Sequence, residues 1–304
     1  MAPELRREDG TRLYASAEPL RKGWSADRKL RAVTAEGRAC LIRLSDAPLY
    51  DAKKREFEIV RKFASLGFPM SRPLDFGWTM GRSQVYMLLS WVEGEDLERA
   101  LPGLPEGEQY RLGREAGGIL RRIHSLPLEP GEAPAVTKQG KKLKQLARYE
   151  ASDVRIDGDE AAACFVREHI GAIWREKPAY LHGDFHPGNL ILTPGGALGV
   201  IDFNRWEIGD PYEEFYKLQS FARELSVPYC VGQIDAYFQD SVPSGFWEAL
   251  AVYAAHASLY SILWAKRFGQ EEIDGMVRRA RTAMEDYDGF ASTVPKWYRN
   301  APRG

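Results

Sequence analysis

Cysteine is scarce, with Cys40, Cys164 and Cys230 the only three in 304 residues. Their number is odd, their spacing wide, and no C-x-x-C pair occurs, which excludes a disulfide framework and a cysteine-built structural zinc site. Net charge is nearly absent too, with 42 Lys and Arg against 43 Asp and Glu. No global field would hold such a chain on a duplex or an anionic membrane, so neither nucleic acid nor membrane is an expected partner. Repeats with a period of roughly 20 to 50 residues are missing, as are low-complexity tracts. The longest charge-free apolar segment, Ala249 to Ala265, falls short of a comfortable bilayer span and carries His256 and several hydroxyls, so it reads as a core helix. The opening residues, MAPELRREDG, place no apolar stretch behind their charges, so no secretory signal peptide is expected. Together with the unpaired thiols this points to the cytoplasm.

What is present is enough apolar material for a large core: 44% of residues are hydrophobic and 28% charged. Up to about residue 93 the pattern is one of short strands between glycines: Arg31 to Val33, Ala39 to Leu44 and Val85 to Leu89. Between them Tyr50 to Leu66 has helical spacing, with Phe57, Val60, Phe63 and Ala64 on one stripe. After Gly94 helices dominate; Leu112, Ala116, Ile119, Leu120 and Ile123 share one face, and Phe165, Val166, Ile170, Ile173 and Trp174 another. Two short strands, Leu190 to Leu192 and Ala197 to Ile201, flank the turn-forming Pro194-Gly195-Gly196. Pro211 opens a further helix. The expectation is a strand-rich lobe, residues 1–93, and a larger helical lobe, residues 94–304, joined near Ser90 to Gly94 across a cleft.

The stretch that carries chemistry is His182-Gly-Asp-Phe-His-Pro-Gly-Asn189, followed after the two strands by Ile201-Asp202-Phe203. Gly183, Pro187 and Gly188 keep the first segment from being a regular helix. A hairpin between the two loops would bring Asp184, Asn189 and Asp202 to the same end of a sheet. Two carboxylates and an amide oxygen form a hard, oxygen-rich set suited to Mg²⁺ held together with substrate phosphates. His182 and His186, four apart, invite a zinc reading, but Gly183 and Pro187 argue against the helix on which such pairs sit.

The H-G-D-x-x-x-x-N motif and the I-D-x(7)-D-P motif, Ile201-Asp202 through Asp210-Pro211, resemble those of the aminoglycoside phosphotransferase and choline kinase superfamily, small-molecule relatives of protein kinases. The resemblance implies an α+β, protein-kinase-like, two-lobed fold: a small antiparallel sheet with one helix, then a mainly helical lobe. It implies transfer of the γ-phosphoryl group of ATP or GTP to a small-molecule hydroxyl, with Asp184 as the catalytic base and Asn189 and Asp202 as Mg²⁺ ligands. His182 would orient the loop backbone. His186 would be a groove-facing polar residue or simple loop packing. Asp210 resembles the structural aspartate that bonds the catalytic-loop backbone.

In the first lobe the segment Leu20 to Asp27 falls where the family covers the phosphates. It has one glycine, Gly23, and backbone N–H groups from Gly23 to Ala26 with the Ser25 hydroxyl would cradle oxyanions; an ordinary hairpin turn is the alternative. On the strand Cys40 to Leu44 the family's phosphate-contacting lysine is replaced by Arg43, which keeps the charge but with a longer planar fork. Its expected partner is Glu56, a pair that phosphate contact or structure alone would explain, while Glu58 points about 200° around the helix. Ser90 to Val92, with Ser90 and Val92 as the candidates, would offer backbone groups to the purine. Trp91 reads as packing.

No residue fixes the acceptor, an aminoglycoside-like antibiotic or an amino-alcohol or sugar metabolite. The acidic residues of Arg155 to Glu160, the cluster Glu207, Glu213 and Glu214, and Glu285 to Asp288 would suit a cationic one. The basic run Lys138 to Lys144 reads as an exposed helix rather than an RNA site. The competing class is a non-catalytic nucleotide-binding sensor, motivated by Arg43 and the thin glycine loop. Only eight residues separate Asp202 from Pro211, which leaves little room for the activation loop of a protein-directed kinase.

Overall fold

A computed structural model describes residues 5–20 and 27–301. In chain order it runs through strands β1 (Ser16–Leu20), β2 (Arg28–Val33) and β3 (Ala39–Asp46), helix α1 (Tyr50–Ala64), and strands β4 (Pro73–Trp78) and β5 (Gln84–Ser90). The two-residue strand β6 (Glu95–Asp96) and the one-turn helix α2 (Leu97–Ala100) lead into α3 (Glu106–His124), α4 (Gln139–Glu150), α5 (Asp159–His169) and strand β7 (Ala179–Leu181). Strands β8 (Leu190–Leu192), β9 (Leu198–Val200) and β10 (Glu207–Gly209) precede α6 (Val227–Tyr237), α7 (Ser244–Ala265), α8 (Gln270–Asp286) and the short α9 (Lys296–Arg299). The fold is α+β. Its residues group into two compact units, 1–95 with 189–206, and 96–188 with 207–304. The segment 189–206 thus joins the strand-rich unit and not the helical sequence on either side of it.

In the first unit five strands form an antiparallel sheet in the order β1-β2-β3-β5-β4. Alternation along the strands sends Leu30, Ala32, Cys40, Ile42, Leu44, Tyr86 and Leu88 to one face, where they pack with Leu13. Arg43 and Ser45 point to the opposite face, which α1 covers. The buried stripe of α1 is Glu56, Ile59, Val60 and Phe63. It is rotated from the expected Phe57-Val60-Phe63-Ala64 because a carboxylate, Glu56, belongs to it; Glu58 is exposed. Strands β1 and β4, not foreseen, are the two edges of the sheet. Pro19, Pro73, Asp75 and Gly77 give them little strand propensity, yet an edge tolerates residues that a central strand would not.

Strands β8 and β9 pair antiparallel, Leu190 opposite Val200. Backbone bonds tie this hairpin to its unit: Ser71 N–H donates to the Val200 carbonyl at 3.0 Å and Val200 N–H to Pro69 at 2.9 Å. The Phe203 ring lies 5.4 Å from that of Phe63 on α1.

In the second unit the tightest helix pair is α3 on α6, and glycine permits it. A Cβ on Gly113 would meet the Tyr229 carbonyl oxygen at 2.2 Å, one on Gly117 the Gln233 carbonyl oxygen at 2.2 Å, and one on Gly232 the Tyr110 carbonyl oxygen at 2.3 Å. Backbone oxygens cannot rotate aside, so a methyl there forces the helices apart. Helix α7 is buried along most of its length, with α5 and α8 packed against it. Among the described residues no helix is long and apolar enough to cross a membrane.

The glycine contacts predict opposite results for neighbouring substitutions. Gly117→Ala should cost about 1–3 kcal/mol by overpacking. Gly118→Ala, whose Cβ would meet open space, should be neutral or stabilising by about 0.5–1 kcal/mol through helix propensity. Denaturant titration of both variants checks this; equal stabilities would contradict the close helix approach.

Candidate active site

The hairpin puts two of the foreseen residues at one end of one element. Asn189 immediately precedes β8, Ile201 and Asp202 immediately follow β9, and Ile201 N–H donates to the Asn189 carbonyl at 3.0 Å. Asp202 adopts a left-handed backbone, φ 61°, uncommon outside glycine and best tolerated by Asp and Asn. Its Oδ2 lies 3.1 Å from Lys29 Nζ on β2.

Arg43 sits on the α1 face of the sheet, 3% exposed. Glu56 of α1 accepts from one edge of its guanidinium, and Asp27 from the other, including Nε at 3.1 Å. Lys53 bridges the carboxylates, 2.7 Å from Asp27 Oδ2 and 3.2 Å from Glu56 Oε2, and Ser45 Oγ donates to Asp27 Oδ1 at 2.7 Å. Two cations and two anions meet here. Burial alone would raise the Asp27 carboxyl, but Arg43, Lys53 and Ser45 bring it down to about 2. Burial opposes the Arg43 charge as well, and Glu56 and Asp27 more than restore it. The expected Arg43–Glu56 pair is therefore present, with Asp27 and Lys53 as members that sequence reading missed. A signal existed: Arg43 and Ser45 are polar at alternate positions among the otherwise apolar residues from Ala39 to Ser45, and Lys53 and Glu56 are one helical turn apart.

Asp184 belongs to the second unit. Strand β7, paired with β10 through Tyr180 opposite Ile208, ends at Leu181 and delivers a fully buried His182. Gly183 follows with φ 79°, where a side chain would be strained. His182 Nδ1 accepts from Asp184 N–H at 3.2 Å, the backbone-orienting part expected of it. The Asp184 carboxylate meets Lys217 Nζ at 2.5 Å and lies 3.7 Å from His186 Nε2. The His186 ring stacks on Phe221 at 5.0 Å, with its Nδ1 accepting from Gly188 N–H. Lys217 is 5% exposed and lies over the Tyr216 and Phe221 rings at 5.0 and 5.2 Å. Burial disfavours its charge, but Tyr216 and Asp184 carry the ammonium above its usual range. Lys217 was not foreseen, because a single lysine in Tyr216-Lys-Leu carries no spacing that marks it.

Asp210 does not bond the loop of Asp184. It accepts from Trp174 N–H, from Tyr212 N–H at 3.0 Å and from Tyr253 Oη–H at 2.7 Å, capping the turn that Pro211 opens. The contact expected of it falls instead to Glu214, whose Oε1 accepts from Gly183 N–H. Complete burial pushes the Glu214 carboxyl up to about 8 despite Gly183 and Lys217, and its Oε2 has no hydrogen-bond partner among the described residues. Burial and the nearby Asp184 and Glu207 carboxylates thus favour the protonated form of Glu214.

The remaining foreseen residues divide. Ser90 N–H donates to the Arg72 carbonyl at 2.8 Å, and its own carbonyl accepts from Ser71 Oγ at 2.9 Å. Val92 lies outside any strand, and its side chain rests on Gly199 of β9. Gly23 and Ser25 lie outside the described residues.

Residues 16–253 match the phosphotransferase enzyme family, a span of most of the chain. The chain belongs to this family. No curated protein matches it. Solved structures similar to it include a GDP complex of an aminoglycoside 2'-phosphotransferase-IIIa variant, at 15% identity with 92% of this chain and 94% of that one covered and a TM-score of 0.71. A thermostable mutant of the aminoglycoside phosphotransferase APH(4)-Ia in apo form is 18% identical over 89% and 94%, TM-score 0.65. The amicoumacin kinase hAmiN, in complex with AMP-PNP, Ca²⁺ and Ami, is 10% identical over 94% and 92%, TM-score 0.66. The protein thus has the kinase-like fold that its motifs implied.

For a phosphotransferase, the metal question is one of donor chemistry. Among the described residues no three His, Cys, Asp or Glu side chains gather as a metal cage. Asp202 and Asn189, at one end of the β8–β9 hairpin, carry the oxygen donors that a hard divalent ion would take together with substrate phosphates. The acidic clusters are less available than their sequence suggests. Glu207 and Glu213 pair with Lys138, and Glu213 again with Lys142 at 2.8 Å. Lys142 is 7% exposed, which corrects the reading of Lys138 to Lys144 as a wholly exposed face. Asp159 and Glu160 pair with Arg155, Asp286 with Arg223, and Asp288 with Lys296 and Arg299.

Glu214 gives a pH prediction. Its folded carboxyl titrates at about 8 against an ordinary 4.5. Between those values the folded protein holds a proton that the unfolded chain releases, so this contribution to stability is complete below about pH 4.5 and declines as pH rises through 8. Glu214→Gln, neutral at every pH, should gain in melting temperature relative to the parent as pH is raised from 5 to 8. A gap that stays constant would show Glu214 to be ionised in the fold.

Proposed function

We propose that this chain moves the γ-phosphoryl group of ATP or GTP to a hydroxyl of a small molecule, an aminoglycoside-like antibiotic or an amino-alcohol or sugar metabolite. The observation that carries the reading is Asp184: a carboxylate on a loop fixed by His182 and Glu214, held by a buried ammonium, inside the H-G-D-x-x-x-x-N frame. Asp184 accepts the hydroxyl's hydrogen bond and, as transfer proceeds, its proton. The Lys217 contact holds its carboxylate in place. That suits phosphoryl transfer through a loose transition state, where positioning and charge matter more than early deprotonation.

Asn189 and Asp202 would hold Mg²⁺, which when bound would offset the charge that develops on the donor phosphates. Asn189 follows Asp184 by five residues, so their Cα atoms lie within about 18 Å however the loop is folded. The nucleotides in the relatives' complexes support a nucleotide donor, and the Ca²⁺ in one supports a divalent ion. The pairing of the carboxylates weighs against an acceptor chosen mainly for positive charge.

A binding module without transfer is the second reading, and the observation in its favour is that Arg43 is engaged by two carboxylates. Turnover separates the two. A panel of hydroxylated metabolites and antibiotics should elicit ADP or GDP release, and Asp184→Ala should lower the rate by about 10²–10⁴-fold or more while nucleotide affinity stays nearly unchanged. Release that survives Asp184→Ala would remove that residue from the chemistry. Asp202→Ala should abolish the dependence of nucleotide affinity on Mg²⁺ in calorimetry, and an unaltered dependence would take Asp202 out of the metal site.

A further inference from the structure

The phosphate-binding cation expected on β3 is Arg43, and its surroundings argue that it is otherwise occupied. Asp27 and Glu56 accept from both edges of its fork, Lys53 completes the group, and the four charges sum to zero. Turning the fork toward a phosphate would leave a buried carboxylate short of a partner, a costly exchange. Lys29 stands directly opposite Arg43 in the β2–β3 register. Directly opposed residues of an antiparallel pair project from the same face with Cβ atoms about 5 Å apart. Lys29 therefore occupies the same face as Arg43, one strand nearer the segment between β1 and β2. Its side chain is 9% exposed, and its ammonium contacts Asp202 at 3.1 Å, a carboxylate that also acts electrostatically on Arg43 but is not among its hydrogen-bond partners.

We infer that Lys29 of β2, not Arg43 of β3, is the cation that grips the donor phosphates, and that Arg43 has become a positioning residue for α1 and Asp27. This rests on the nucleotide-dependent reading above and assigns one of its contacts. Two features fit a lysine there. An ammonium is a compact point charge on a flexible stem, able to leave a carboxylate for a phosphate oxygen. Its present partner, Asp202, is the residue proposed to hold the divalent ion, so the ammonium stands where nucleotide charge would be received.

The test isolates phosphate contact from repulsion by an unpaired Asp202. Binding of adenosine, AMP, ADP and ATP, or the guanosine series, is measured by calorimetry in the presence of a chelator. Lys29→Ala is introduced into the Asp202→Asn background. Affinity for the di- and triphosphate should fall by about 10- to 100-fold, the worth of a charge-assisted hydrogen bond, with nucleoside affinity unchanged and Lys29→Arg recovering much of the loss. Arg43→Lys should lower the melting temperature yet keep the ratio of triphosphate to nucleoside affinity. A ratio that falls in Arg43→Lys and holds in Lys29→Ala would overturn the assignment, as would equal weakening of nucleoside and triphosphate by Lys29→Ala in a protein whose melting temperature is unchanged. A parent protein that binds neither nucleotide series would overturn the functional reading itself and the assignment with it.

Discussion

Arg43 can be buried only because two carboxylates meet it there, and much of the first unit follows from that constraint. An isolated guanidinium at this depth would cost several kcal/mol. Asp27 and Glu56 remove the penalty and in doing so fix three elements. Glu56 sets which stripe of α1 faces the sheet, Asp27 pins the end of the segment before β2, and Ser45 and Lys53 satisfy the carboxylate oxygens that Arg43 leaves. The group is a structural core made of charge, set beside an apolar one on the other face of the same sheet.

The second unit solves a similar problem differently. Asp184 is given an ammonium, Lys217, at contact distance, while burial pushes the neighbouring Glu214 toward its protonated form despite that same Lys217. Two carboxyl groups on one short loop network thus have different tasks. The first remains a hydrogen-bond acceptor for chemistry, and the second holds the Gly183 backbone without adding negative charge. Two ionised carboxylates so close would raise each other's proton affinity, and neutralising the structural one leaves the field at Asp184 to Lys217.

What was legible in the sequence was whatever depended on spacing. The central strands and α7 announced themselves as apolar runs, α1 and α3 by period, and the motif residues by their fixed intervals. The β8–β9 turn was marked by Pro194-Gly195-Gly196. The edge strands were not legible, since an edge is defined by what fails to pair with it, and Pro19 and Pro73 read as breakers. Nor were the partners of the charges: Lys29, Asp27 and Lys217 lie 173, 16 and 33 residues from Asp202, Arg43 and Asp184, and nothing local distinguishes them from surface residues. The contact expected of Asp210 passed to Glu214 because both lie near one turn, and spacing does not show which of them reaches Gly183. The acidic clusters looked like a field for a cation because their lysine and arginine partners come from other helices.

The grouping of residues 189–206 with the first 95 bears on how the chain is made. The β8–β9 hairpin supplies the backbone partners of Pro69 and Ser71 and sets Phe203 against Phe63. A nascent chain that has released only its first hundred residues holds the five-stranded sheet with those groups uncovered. Closure of the amino-terminal part must wait until two-thirds of the polypeptide has left the ribosome, so its synthesis and its folding are out of step with the vectorial order common in multidomain proteins.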